Sequence, residues 1–505
     1  MKNILEWLEA SALVKGDAPS ASDIEHTLSF VQLRDRAQKA GTFLYHAGVR
    51  KGKPVAIFAE KSTDVLCGML GAVYAGGFYC LLDTRQPKER MERMLEKLQP
   101  VCILSDGEHR EEAEQRFAGM PLYMLEDILE QTEIEEEILA QVRMQAQDTD
   151  PLYVNFTSGS TGIPKGVAVS HRSVIDFIPR FVSTFGITGD DILGNQAPFD
   201  FDVSVKDIFT MLYCGAHMQM IPRAYFSKPA DLMDLLYERH VTVLTWAVSA
   251  LCFVSIMNGL DYKTPETVRM VLFSGEIMPV KHLSKWKKYL PDVRYINLYG
   301  PTEITCNCTW HEVNDDDMAS GVIPIGRPFD NERVFLLDEN DALVEEADKD
   351  GEICVAGTCL ALGYWRDAHA TEAAFVKNPC NSDYEERIYR TGDLGYYNEN
   401  GELVYRGRKD HQIKHLGHRI ELGEIEMLVQ KEAGAVQAVC LYDEKKKRIL
   451  LYYSGETDAK TLGTRLKTVL PAYMCPSKIT QKDYLPLNKN GKIDRNALKK
   501  EAGLA

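Results

Sequence analysis

The sequence predicts an α/β protein of layered, largely parallel sheets, followed by a β-rich subdomain and a small C-terminal α+β domain. Three observations carry that expectation. Short all-apolar runs alternate with longer segments of helical periodicity, the pattern of strands buried on both faces by crossing helices. From about Gly321 the texture changes to short β-like runs broken by Gly, Asp and Asn. At 505 residues, the chain is about three ordinary domains long.

The elements follow in order. An amphipathic helical opening leads to Pro54-Val55-Ala56-Ile57-Phe58, a buried strand, and Asp64 to Tyr74 then has the length and periodicity of a helix. Val101-Cys102-Ile103-Leu104 reads as the next strand. The charged stretch from about Glu111 to Asp150 reads as a mostly solvated helical connection without chemistry of its own. Similar alternation recurs around Ile175–Phe185, Leu232–His240, Val241–Leu244 and Val268–Phe273. The β-rich part includes Arg333–Leu337, Gly351–Gly357 and Leu403–Tyr405. A boundary near Gly407-Arg408-Lys409-Asp410 divides a large body, residues 1–409, from a small domain, 410–505, with a helix over Glu421–Glu432 and a strand near Ala435–Tyr442.

Composition excludes several classes. The chain is 45% hydrophobic and 26% charged, as globular proteins are. A formal charge of −16 argues against a nucleic-acid partner, although a local basic cleft for a nucleotide remains compatible with it. No uncharged apolar run reaches about 18 residues, so no membrane span is expected. Met1-Lys2-Asn3-Ile4-Leu5-Glu6 lacks the apolar core of a signal peptide, which points to the cytoplasm. Twelve scattered cysteines do not form a disulfide framework in a chain this long. His411, His415 and His418 suggest zinc at first sight, but Lys414 and Arg419 between and beside them oppose a cation.

The segment with most chemical content is Thr157-Ser158-Gly159-Ser160-Thr161-Gly162-Ile163-Pro164-Lys165-Gly166, set between the apolar runs Leu152–Phe156 and Val167–Val169. Glycines admit close approach of backbone amides, and hydroxyls with an ammonium suit phosphate oxygens. It reads as strand, anion-gripping loop, strand. It is not a Walker A loop, because Gly166 and a β-type run follow Lys165 where that motif needs Ser or Thr and a helix. No Gly-x-Gly-x-x-Gly follows a strand, so a dinucleotide site is not indicated either.

Further segments stand in a definite order: Phe201-Asp202-Val203-Ser204, Asn297-Leu298-Tyr299-Gly300-Pro301-Thr302-Glu303, Tyr389-Arg390-Thr391-Gly392-Asp393, and Gly407-Arg408-Lys409-Asp410. Leu416 to Glu426 and Asn490-Gly491-Lys492-Ile493-Asp494-Arg495 follow. Together with the 157–166 loop, this set resembles the adenylate-forming enzymes over nearly the whole chain. Within them it is similar to amino-acid adenylation domains of the peptide-synthetase type and to freestanding D-alanyl carrier-protein ligases. The resemblance implies the adenylate-forming fold: a large N-terminal α/β domain with a β-rich subdomain, and a small mobile C-terminal domain.

The implied chemistry has two steps. ATP and an amino acid form an aminoacyl-adenylate and pyrophosphate, and the phosphopantetheine thiol of a carrier protein acting in trans then takes the acyl group. By resemblance Thr157, Ser158, Gly159, Thr161, Gly162 and Lys165 surround the β- and γ-phosphates. Thr302 stands near the α-phosphate, and Glu303 is the carboxylate associated with Mg²⁺. Asp393 accepts from the ribose hydroxyls, with Arg408 on ribose or phosphate and Tyr405 against the nucleotide. Gly275, Glu276, Asn297, Leu298, Tyr299 and Gly300 belong near the adenine. Lys492 resembles the lysine that stabilises charge developing at the carboxylate and α-phosphate, and Asp410 resembles the hinge.

For the acid, Asp202 resembles the aspartate that pairs with an α-ammonium, and Phe199 stands where an aromatic residue borders the substrate carboxylate. The remaining carry-over to the pocket is Val203, Lys206, Thr245, Leu272, Ser274, Leu298, Cys306 and Asn307. If Lys206 points inward, it welcomes an acidic or carbonyl-bearing side chain, because an unpaired buried ammonium is costly; if outward, that inference disappears. D-alanyl ligases usually carry cysteine where Ser274 stands and a hydrophobic residue where Lys206 stands, which leaves D-alanine as the alternative. A non-catalytic nucleotide- or carrier-binding module is the reading of another class, and the joint presence of Lys165, Glu303, Asp393 and Lys492 weighs against it.

Overall fold

The structure, a computed structural model, describes residues 1–159, 164–487 and 493–504. The chain divides into two compact units. One comprises residues 1–84, 98–155 and 167–407; the other comprises 85–97, 156–166 and everything from Arg408 onward.

The larger unit is built on two mixed sheets and a third that is antiparallel. In the nine-stranded sheet the central strands Arg294–Tyr299, Met270–Ser274, Val243–Ala247, Ile192–Asn195, His217–Met220 and Pro19–Ser22 run parallel. Antiparallel strands Thr309–Glu312 and Thr27–Ser29 flank them. The seven-stranded sheet centres on Pro54–Phe58, fully buried as an all-apolar run requires, with Phe78–Leu82 and Cys102–Ser105 parallel on either side. The β-rich part pairs Glu332–Leu337, Gly351–Gly357 and Arg387–Tyr397 antiparallel.

Several helices start where short polar side chains satisfy the first amides. Ser29 and Gln32 form a capping box before Phe30–His46, Ser62 accepts from Val65 before Thr63–Tyr74, and Ser170 accepts from Ser173 before His171–Phe185. Helix Ser204–Cys214 stops at Gly215, whose φ of 73° is left-handed.

Two expectations need correction. The Glu111–Asp150 stretch is more than a solvated connection. Leu122–Met124 forms a strand paired with Cys102–Ser105, and Leu125, Ile128, Leu129 and Leu139 are buried in the main core. Its exposed acids masked a sparse apolar face. The helical opening is likewise interrupted, since Leu5–Lys15 and Phe30–His46 are separated by the paired strands Pro19–Ser22 and Thr27–Ser29. Those strands are short and rich in serine, so periodicity has little to act on.

The smaller unit contains the hairpin Gln412–His415/His418–Glu421, helix Leu422–Ala433, and a sheet of Gln437–Asp443, Arg448–Ser454 and Lys478–Gln481. Ile425, Val429, Leu451, Tyr453, Leu462 and Met474 are among its core residues. His415 bonds the Tyr442 hydroxyl at 3.0 Å and His418 stacks on the Tyr473 ring at 3.8 Å. Among the described residues, no cluster of His, Cys, Asp or Glu has the makings of a metal site, all twelve cysteines are free thiols, and no helix is long and apolar enough to cross a membrane.

Candidate functional site

Strand register assembles one wall of the site in the larger unit. Thr245 pairs with Leu272 and Leu272 with Ile296, so their side chains share one face, joined two residues on by Ser274 and Leu298. Leu272, Ile296 and Leu298 pack in the core that also holds Val205, Ile208 and Phe209 of helix Ser204–Cys214. The alternate residues Leu244, Trp246, Val271, Phe273 and Tyr295 fill a separate core on the opposite face.

The turn before that helix positions the next group. The Ser204 hydroxyl donates to the Phe201 carbonyl at 2.7 Å, tightening the chain around Asp202. Phe199, Asp202 and Val203 are all buried. The Thr302 hydroxyl donates to Asp202 Oδ2 at 2.5 Å, linking residues a hundred positions apart. After the short 3₁₀ turn Thr302–Ile304, Thr305 and Cys306 take left-handed φ values of 58° and 84°. Such a pair of non-glycine residues is strained and reverses the chain sharply. The reversal lays Asn307 against Gly300, where an added Cβ would lie 2.6 Å from the Asn307 Cα.

Lys206 points inward. It is 0% exposed, and its Nζ donates to Asn307 Oδ1 at 2.6 Å. The Cys306 thiol also approaches Asn307 Oδ1, at 3.4 Å. Burial pushes that thiol up to about 12, with Lys206 opposing the shift and Asp202 adding to it.

Sequence reasoning missed a charged support behind this wall. Lys61 donates to Asn195 Oδ1, to the Asn195 and Gln196 carbonyls at 2.9 Å each, and to the Ala197 carbonyl at 3.2 Å. Asn195 in turn donates to Asp207 Oδ2 at 2.9 Å. Burial lowers Lys61 to about 7 against the pull of Asp207, Glu60 and Asp200. Burial raises Asp207 to about 6, although Asn195, Lys206, Lys61 and Thr245 oppose it. No spacing signal could have joined Lys61 to a strand end more than a hundred residues away.

Of the other predicted residues of this unit, Tyr299 meets Asp393. Tyr299 donates its hydroxyl to Asp393 Oδ2 at 2.6 Å, and the Tyr299 and Tyr405 rings lie 6.4 Å apart, tilted by 43°. Asn297 Nδ2 donates to the Pro324 carbonyl at 2.8 Å. Gly275 follows strand Met270–Ser274 with a φ of 97°, and no atom lies within 4 Å of a Cβ added there, so conformation rather than crowding calls for glycine. Glu276, next to it, is half-buried. Glu303 is fully buried, and its Oε1 accepts from the Tyr364 hydroxyl at 2.7 Å.

The smaller unit holds the phosphate-loop candidates. Strand Pro151–Thr157 enters the loop and strand Lys165–Ser170 leaves it. The Thr157 hydroxyl lies 3.5 Å from the Lys165 carbonyl, and Lys165 is half-buried. Ser158 donates to the Arg419 carbonyl at 2.8 Å and accepts from the Glu421 amide at 3.1 Å. The Gly159 amide donates to Glu424 Oε2 at 3.3 Å, and Glu424 also pairs with Arg90, both side chains buried. Thr161, Gly162 and Lys492 lie outside the described residues. Arg408 grips Asp410 through both oxygens at 2.7 and 2.8 Å, and Asp410 accepts from the Gln412 amide at 3.0 Å. Burial pushes the Asp410 carboxyl up, but Arg408, the Gln412 amide and Arg419 together hold it below its ordinary value.

Comparison with known proteins adds to this geometry. The family model described as "AMP-binding enzyme" matches residues 8–365. Surfactin synthase subunit 3 of Bacillus subtilis is 32% identical over 99% of this chain, which spans 39% of that protein. The L-proline--[L-prolyl-carrier protein] ligase of Streptomyces coelicolor is 32% identical over 93% of this chain and 91% of its own length. The solved structure of holo-PA1221, an NRPS protein containing adenylation and PCP domains bound to a vinylsulfonamide inhibitor, superposes with a TM-score of 0.85 at 25% identity. It covers 99% of this chain and 84% of that one.

Proposed function

The chain belongs to the AMP-binding enzyme family, and from that premise we propose that it activates an α-amino acid with ATP and passes it to a carrier-protein thiol. In the first step a substrate carboxylate oxygen attacks the α-phosphorus, and the bond to the pyrophosphate oxygen breaks. In the second, the phosphopantetheine sulfur attacks the acyl carbon and AMP leaves with the electron pair of the broken bond. The match to a prolyl-carrier protein ligase over 93% of this chain and the likeness to a structure with adenylation and PCP domains support both steps. We place the reaction in the cytoplasm, with a carrier protein as the acceptor.

One observation carries the reading: the buried Asp202 carboxylate bonded at 2.5 Å to the Thr302 hydroxyl. A buried carboxylate is the natural partner of an α-ammonium, and Thr302 is the residue assigned to the α-phosphate. The bond between them couples placement of the amino group to placement of the reacting phosphate, as proximity catalysis requires. Phe199 borders the substrate carboxylate. Asp393, aligned by Tyr299, takes the ribose hydroxyls, and Asn297, Tyr405, Gly275 and Glu276 serve the base and nucleoside.

Thr157, Ser158, Gly159, Thr161, Gly162 and Lys165 serve the β- and γ-phosphates. The Gly159 amide already donates to a carboxylate, so it is directed at an anion. Glu303 is a single buried carboxylate, and Mg²⁺ at nucleotide sites is held by one or two carboxylates plus phosphate oxygens, so the residues fit the ion. When bound there, Mg²⁺ would offset the phosphate charge. Lys492 stabilises charge developing at the reacting oxygens, Arg408 serves ribose or phosphate, and Asp410 is the hinge at which residues 410–505 turn between the half-reactions.

Amino-acid-dependent ATP–pyrophosphate exchange across L- and D-amino acids tests the proposal. Exchange with one acid, lost in Lys492→Ala, is expected. Folded protein that binds ATP yet exchanges with no acid would leave a nucleotide-binding module instead.

A further inference from the structure

Lys206 is a buried primary ammonium, and such a group carries three N–H donors and needs acceptors for them. Among the described residues, its one hydrogen bond to an oxygen goes to Asn307 Oδ1, at 2.6 Å. The neighbouring Cys306 sulfur is a weak acceptor at best. Asp207, next along the helix, does not take up the remainder. Adjacent helical residues face different directions, and the Asp207 carboxylate is turned to the Asn195 amide and the Thr245 hydroxyl. Asp202 is engaged by Thr302.

The bond to Lys206 also fixes the Asn307 amide. With Oδ1 committed to the ammonium, the amide NH₂ is the part of Asn307 left to donate elsewhere. Neighbouring side chains thus offer an ammonium and an amide N–H, both donors. Leu272 and Leu298, on the sheet face that packs toward the Lys206 helix, supply apolar surface for methylenes. Asp202 stands two residues before the Lys206 helix, and the Cys306 thiol feels the charge of both side chains, so an acid held by its α-ammonium at Asp202 extends toward a region that Lys206 shares.

We infer that the acid activated here carries a carboxylate or carboxamide at the end of its side chain, received by Lys206 and Asn307. This inference rests on the adenylation reading and adds the substrate class. Burying an ammonium beside an apolar side chain would leave its donors unmatched, whereas a terminal carbonyl oxygen satisfies them. A basic side chain would place two cations together.

The test is ATP–pyrophosphate exchange by the full chain with glutamate, glutamine, aspartate, asparagine, methionine, leucine and lysine in both chiral forms. The expected result is highest kcat/KM for one of the first four. Glutamate against glutamine reads the charge, and the shorter pair reads the length. Lys206→Met should lower kcat/KM for that acid by roughly 10- to 100-fold, the worth of a charge-assisted hydrogen bond, and shift preference toward methionine or leucine. Lys206→Arg should keep the original preference. A best substrate with an apolar or basic side chain, or a Lys206→Met loss equal for all acids, overturns the inference.

If no acid supported exchange, the adenylation reading would fail separately, and thermal shift with the same acids would decide the pocket. Stabilisation by a carboxyl- or carboxamide-bearing acid over leucine, lost in Lys206→Met, would uphold it. Equal or absent stabilisation would overturn it.

Discussion

Replacing Tyr299 by Phe removes one oxygen and little volume, so its effect isolates a single interaction. The hydroxyl donates to Asp393 Oδ2 at 2.6 Å, and both residues are almost fully buried. A hydrogen bond to a charged group contributes about 1.5–3 kcal/mol, and deleting the donor leaves a buried carboxylate oxygen less well satisfied. Urea unfolding of Tyr299→Phe should therefore show a loss of about 2 kcal/mol. Burial, with the Asp393 carboxylate beside it, pushes the Tyr299 hydroxyl well above its ordinary value, so it remains a donor throughout the working pH range. If Asp393 accepts from the ribose, its loss of alignment should be read in ATP and not in the amino acid. The same energy corresponds to roughly a 10- to 100-fold fall in kcat/KM for ATP in pyrophosphate exchange, with amino-acid KM nearly unchanged. A protein destabilised as expected but with unaltered ATP kinetics would refute the ribose role of Asp393 while leaving the hydrogen bond intact.

Two further outcomes concern stability. Burial lowers His171 to about 4 from an ordinary 6.5, and its Nδ1 accepts from the Ile4 amide. Because the folded value is depressed, this stabilisation is present above about pH 6.5 and lost as pH falls toward 4. At about pH 5 the loss is about 2 kcal/mol, which urea midpoints at two pH values should show and His171→Asn should remove. In the smaller unit, Arg90→Met would leave the fully buried Glu424 without its ion-pair partner, costing about 3–5 kcal/mol. Faster amide exchange across helix Leu422–Ala433 would report it, and pairing Arg90→Met with Glu424→Leu should restore most of the protection.

Much of the architecture was legible because apolar runs and helical periods are local properties. Pro54–Phe58 could hardly be anything but a buried strand, and the predicted helices around Ile175–Phe185 and Leu232–His240 correspond to His171–Phe185 and Pro229–Glu238. Leu122–Met124 escaped notice because three residues inside a charged segment give no period, and its place at the sheet edge comes from pairing with Ile103, Leu104 and Ser105. In the site, motifs marked residues without marking which of them would meet. Asp202 and Thr302 were each singled out, but their bond joins residues a hundred positions apart, and no local pattern announces such a meeting. Tyr364, which bonds Glu303, and Lys61 had no motif at all.

The direction of Lys206 was undecided in the sequence, yet the physical signal for it was present. Residues Ser204–Leu212 are buried on every side of their helix, and Lys206 and Asp207 are the charged members of that run. A helix surrounded by core offers no solvent face to which a lysine could turn, so both charges had to find partners inside. They diverge rather than pair. Asp207 joins Asn195 and, through it, Lys61, and thereby braces the end of strand Ile192–Asn195 against the helix. Lys206 turns instead to Asn307, on the chain segment that follows Glu303. A buried pair meant only for stability would be expected to neutralise itself locally, since separating its members leaves each to be solvated by neutral groups. Here the anion is consumed by the scaffold while the cation faces the residues that gather around Asp202. That division assigns Asp207 to holding the wall and leaves Lys206 as the member whose remaining donors a substrate oxygen would complete.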